Sequence, residues 1–150
     1  MIDRNGPVNS EDGKQYDGIT EWSLTWDYQL KRRGKVWIVV SRSVLLDIKV
    51  VTPRWIDFQN APGVLRTQWR IYRANLLRHE EGHVKIALRA AYAVDKYLGT
   101  YGASSSLEKL KSDIQKNTRG LLRQYRKIDR SYDQRTRHGA SQGASLAKGS

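Results

Sequence analysis

The hydrophobic period of this chain changes once, and that change restricts the fold to a sheet followed by helices. In "WSLTWDYQL", Trp22, Leu24, Trp26, Tyr28 and Leu30 alternate with Ser23, Thr25, Asp27 and Gln29. Successive strand residues face opposite sides, so this pattern predicts a half-buried strand. "KRRGK" around Gly34 reads as a turn, and "VWIVVS" as a second strand. "VLLDIKVV" reads as a third, with Val44, Leu46, Ile48 and Val50 on one face. Pro53 ends the sheet, and "PRWIDFQNAPG" is a connector.

From Val64 the period lengthens. Trp69, Tyr72, Leu76, His79, His83, Ile86, Ala90, Val94 and Tyr97 recur at three- and four-residue steps, one stripe of a helix running to about Leu98. Gly99, Gly102 and the serines form a turn, and Ser105 with Glu108 reads as a capping box for a second helix. Its stripe is Leu107, Leu110, Ile114, Leu121, Tyr125, Ile128 and Tyr132, with Gly120 a point of weakness or kinking. After Asp133 the chain reads as loop and tail. The expected class is α+β: a small antiparallel sheet of about three strands, then a long helical hairpin. Residues 1–18 form a flexible lead-in, 19–144 a single domain and 145–150 a disordered tail.

The first helical stripe contains His79, Glu80 and His83 in the spacing H-E-x-x-H. Residues four apart lie on one helix face, so both imidazoles can bind one ion. Glu80 stands beside them, where a carboxylate can take a proton from an activated water. Three fixed positions are a short pattern that helices meet by chance. Two histidines and a glutamate on a buried stripe, however, form a costly cluster without a cation. Gly82, a poor helix residue in mid-helix, suggests close approach of another segment. The chain has no cysteine, so a zinc ion here must use His, Asp or Glu.

The pattern leaves the third ligand open. A metzincin-type extension needs Gly and His where this chain has Ile86 and Arg89. Glu108 is the only glutamate after His83, but His83 lies 15 residues before Leu98. At 1.5 Å per residue that is about 22 Å, which puts Glu108 near the hairpin tip. His138 follows the far end of helix two and can fold back over the site, so it is the favoured third ligand. Asp133 is the runner-up. Tyr132 is a candidate oxyanion donor as well as the last apolar residue of its stripe. Asp133 or Gln142 can instead orient a ligand from behind.

Lys and Arg outnumber Asp and Glu 27 to 15, and the surplus lies in the helical half. That half suits an anionic surface or polymer, and a nucleic-acid or polymer-binding module with a structural or empty metal site is one alternative. No recognised nucleic-acid motif appears. Trp22, Trp26 and Trp69 fall on expected core faces, which disfavours base stacking. A cell-wall peptide amidase is a second alternative, since its zinc chemistry is that of a peptidase. No apolar run reaches the length of a membrane span, and "MIDRNGPVNSEDG" lacks a signal-peptide core.

Several stretches together resemble a bacterial family of predicted secreted zinc-dependent proteases, catalogued as a domain of unknown function. They are "TEWSLTWDY", "TPRW", "LRTQWRIYRANLLRHEEGHVKIALRAA" and the tail "YDQRTRHGASQGA". The match runs from about Thr20 to Ala144. The resemblance implies a zincin-like α+β fold, one zinc ion with His79 and His83 as ligands, Glu80 as the catalytic residue and His138 as a functional position. It also implies export to the periplasm or cell surface; the protein or peptide substrate is what the H-E-x-x-H chemistry calls for, and the resemblance supplies none.

Overall fold

The computed structural model describes residue 13 and residues 16–145. Most of the expected lead-in and all but the first residue of the expected tail lie outside the described residues. Strand β1 (Ile19–Arg33) and strand β2 (Val36–Val51) form a two-stranded antiparallel hairpin. They are joined by Gly34 and Lys35, and Gly34 has φ +59°. A two-residue hairpin loop needs that left-handed backbone at its first position, which glycine adopts freely.

The sheet has two strands rather than three. Ser41-Arg42-Ser43 contains no glycine or proline, so the chain stays extended through it. The inward positions shift instead from Trp37 and Val39 to Val44, Leu46 and Ile48. That one-residue change of phase separates two apolar runs on a single strand.

Helix α1 (Gly63–Thr100) and helix α2 (Leu107–Thr136) follow, as the period change requires. Every residue of the α1 stripe is buried except Tyr97, which is half-buried. The cap of α2 is Ser106, not Ser105: its Oγ accepts from the Lys109 amide at 3.1 Å. Glu108 is therefore an exposed acid in the first turn, favourable to the helix dipole but outside any capping box. The helix runs unbroken through Gly120 and on to Thr136, three residues beyond the expected end. Thr118 fills the gap between Ile114 and Leu121, with its hydroxyl returned to the Ile114 carbonyl at 2.6 Å, while Ile128 is exposed.

Within the span expected as one domain, the residues gather into two compact units. One comprises Trp22–Ile48 and Lys85–Asp129. Its core is Trp22, Leu24, Ala87, Ala90, Val94, Leu98, Leu110 and Ile114, flanked by the hairpin side chains. Burying a leucine such as Leu98 or Leu110 stabilises by about 1.5–3 kcal/mol, so this cluster holds the unit together. The Trp22 indole donates to Asp129 at 2.9 Å under the Arg126 guanidinium, and Trp37 pairs by backbone bonds with Ser104 between the helices.

The other unit comprises the chain up to Glu21, Lys49–Val84 and the chain from Arg130. Trp69, Tyr72, Leu76 and Ala144 form its apolar core, with Trp55 and Phe58 packed against it. All five tryptophans take part in these two clusters, Trp22 and Trp69 buried and Trp26, Trp37 and Trp55 partly buried. Among the described residues, no helix is long and apolar enough to cross a membrane.

Candidate metal centre

The second of these units holds the H-E-x-x-H motif. His79 and His83 are one turn apart on α1, and both are buried. Helix α2 brings Asp133 to them. His79 Nε2, His83 Nε2 and Asp133 Oδ1 form a triangle with edges of 3.0, 3.2 and 3.3 Å. Ligand atoms at zinc distances of about 2.0–2.1 Å in tetrahedral geometry stand about 3.3 Å apart. The triangle has the size of one face of such a site, and these three residues could hold a metal ion.

Asp133, the runner-up to His138 in the sequence, is the third member of this group, and His138 is not one of the three. The helix extends far enough to carry Asp133 inward, and His138 lies beyond its end. Its Nδ1 is 3.4 Å from Asp133 Oδ1, its ring packs against Tyr16, and its side chain is 49% exposed. Arg137 and His138 both have left-handed backbone, with φ of 51° and 53°, followed by Gly139 at 84°. Two non-glycine residues in that conformation store strain, which the His138 amide bond to the Asp133 carbonyl at 2.9 Å helps to hold. Glu108 belongs to the other unit and is not part of the group.

Burial raises the Asp133 carboxyl, but the facing His79 and His83 nitrogens, and the charge of His83 and His138 when protonated, outweigh it. The net effect holds Asp133 well below the usual carboxylate range, so it is an anion throughout the neutral range.

Glu80 is buried beside the triangle, and Thr20 donates to its Oε2 at 2.6 Å. Burial pushes the Glu80 carboxyl up. The Thr20 bond and the nearby His83 and His79 pull it back only in part, while Asp133 pushes it further up. A Cβ on Gly18 would stand 2.7 Å from Glu80 Oε1, so glycine lets the chain pass over the carboxylate. Residues 16–20 thus pack on the site, although residues 16–18 fall in the expected flexible lead-in. A glycine immediately before an alternating strand was the signal for this close approach.

Gly82 has the role its position suggested. A Cβ there would collide with the Tyr132 ring and hydroxyl. Without it, Tyr132 stacks on His79 at 5.1 Å and meets His83 edge-on at 5.0 Å. Its hydroxyl donates to the His79 carbonyl at 3.1 Å, which turns it toward the helix backbone rather than the triangle. Gln142 Oε1 lies 2.9 Å from His79 Nδ1, on the side of the ring away from the triangle. Thr136, which the sequence reading did not single out, approaches the same nitrogen at 3.4 Å.

A family model described as a bacterial protein of unknown function (DUF922) matches residues 1–139. No curated protein and no solved structure matches the chain.

Proposed function

This chain belongs to the DUF922 family of bacterial proteins, and for it we propose zinc-dependent hydrolysis of peptide bonds. The observation that carries the reading is the convergence of two imidazoles and one carboxylate beside a buried glutamate. Two nitrogens and an oxygen suit zinc, and three protein ligands leave a position for water, as in catalytic sites. Zinc bound there supplies a polarised scissile carbonyl and an acidified water.

The chain's own residues do the rest. His79, His83 and Asp133 hold the ion. Glu80 accepts the water's proton as the water oxygen bonds to the carbonyl carbon. It returns that proton to the amine nitrogen as the carbon–nitrogen bond breaks. Export to the periplasm or cell surface accompanies this reading through the resemblance of the motifs.

The test is zinc content by elemental mass spectrometry together with cleavage of a peptide library. Wild type should carry about one zinc per chain and cleave. Glu80→Gln should keep the zinc and lose about 10²–10⁴-fold in rate, the usual contribution of a general base. Undiminished cleavage by zinc-loaded Glu80→Gln, or a wild type that takes up no zinc when supplied with it, overturns the reading.

A further inference from the structure

On the side of the His79 ring away from the triangle, a short relay of hydrogen bonds converges on Nδ1. The Tyr132 hydroxyl has one proton and two acceptors within reach: the His79 carbonyl at 3.1 Å and Gln142 Oε1 at 3.4 Å. The nearer acceptor takes it. The Tyr132 oxygen is then free to accept, and Gln142 Nε2 donates to it at 3.2 Å. In this orientation of the Gln142 amide its nitrogen, which can only donate, faces Tyr132. Gln142 Oε1 is thereby turned to His79 Nδ1 at 2.9 Å. An amide oxygen can only accept, so this bond is made when Nδ1 holds the proton.

A second neighbour favours the same. The Thr136 hydroxyl donates to the Tyr132 carbonyl at 2.9 Å, so toward Nδ1, at 3.4 Å, its oxygen is an acceptor. With Nδ1 protonated, Nε2 offers its lone pair to an ion in the triangle; with no ion bound it faces the Asp133 carboxylate at 3.2 Å.

The turn that holds Gln142 is built for this placement. It is a short 3₁₀ turn, Ala140–Gln142, bracketed by Gly139 and Gly143 in left-handed conformation. A Cβ on Gly139 would stand 3.0 Å from the His79 ring, and one on Gly143 would stand 2.6 Å from the Asn75 amide. Asn75 in turn donates to the Gly143 carbonyl at 3.2 Å.

We propose that Gln142 and Tyr132 are positioning residues that hold the His79 ring by its Nδ1–H, so that the tail after α2 aims Nε2 at the triangle. This rests on the metal reading above, but its first test does not need the metal. Long-range ¹H–¹⁵N NMR of the imidazoles, on zinc-free full chain, reads the tautomer of His79 directly. Wild type should show Nδ1–H, and Gln142→Ala should lose that preference. A wild-type ring with no proton on Nδ1 overturns the proposal.

The second test is zinc affinity by competition with a chromophoric chelator. Gln142→Ala should bind zinc about 10–100-fold more weakly, the usual loss when a ligand's outer partner is removed. Gln142→Glu, which still offers an acceptor, should stay within a few-fold of wild type. Tyr132→Phe should fall between them. Affinity of Gln142→Ala within twofold of wild type overturns the relay and leaves zinc binding standing. A wild type that binds no zinc, with a proton still on His79 Nδ1, overturns the peptidase reading and leaves the Gln142 hold on the ring standing.

Discussion

The two compact units differ in what they bury. The unit built on Trp22–Ile48 and Lys85–Asp129 has an apolar core, and its one buried polar residue, Thr118, is bonded to the turn before it. The unit that contains the H-E-x-x-H motif buries His79, Glu80, His83 and Thr136 beside a smaller apolar core. No buried side-chain polar atom among the described residues lacks a partner. Buried polar groups are costly unless satisfied, so the second unit spends stability on an arrangement that packing alone does not require. One unit behaves as a scaffold and the other as a site.

The largest effect that can break this comparison is in the scaffold. Leu98→Ala empties a fully buried position and should cost about 2–5 kcal/mol in denaturant titration, without changing zinc bound per folded chain. Loss of zinc in the folded variant would show that the two roles are not separate. Next in size is the ion itself. Free zinc at a hundredfold its dissociation constant should stabilise wild type by about 2.7 kcal/mol and leave His83→Ala unchanged. Equal stabilisation of both, followed by thermal melting, would place the ion elsewhere. Gly82→Ala adds a methyl where Tyr132 already stands, and should cost about 1–3 kcal/mol while weakening zinc binding. A variant matching wild type in both would mean the ring can move aside freely.

The smallest effect concerns Glu80 in zinc-free protein. Its folded carboxyl is raised, so its stabilising contribution is present below the unfolded value near about 4.3 and is lost as pH rises through the folded value. Above that window the buried charge is a cost. Glu80→Gln should therefore be more stable than wild type at neutral pH and lose that advantage in acid. A Glu80→Gln protein that is less stable at neutral pH reverses the sign and rules out burial as the dominant influence on this carboxyl.

Much of this was legible in the chain. The α1 stripe ran through His79 and His83 to Val94, and all of those positions are buried. Gly82 pointed to a close neighbour, and the neighbour is Tyr132. Other features needed context. The apolar runs around Ser41–Ser43 looked like two strands because a strand that changes phase and a strand that ends look alike in sequence. Ser105 and Ser106 are both plausible caps, and only the backbone path decides between them. Residues 16–18 carry no periodicity, so their packing against Glu80, Tyr72 and His138 left little trace beyond one glycine.

The sequence by itself determined that a sheet precedes two helices and that His79, Glu80 and His83 share one buried turn. Those are consequences of the 2.0- and 3.6-residue periods, which are local and survive any packing. Only the tertiary structure decided which third residue completes the triangle. That choice depends on where α2 stops. Asp133 lies inside the helix, three residues before its end, and the left-handed step at Arg137–Gly139 sets His138 to one side and returns Gln142 to His79. Convergence of side chains from distant segments is a property of the assembled backbone, and spacing along the chain does not encode it.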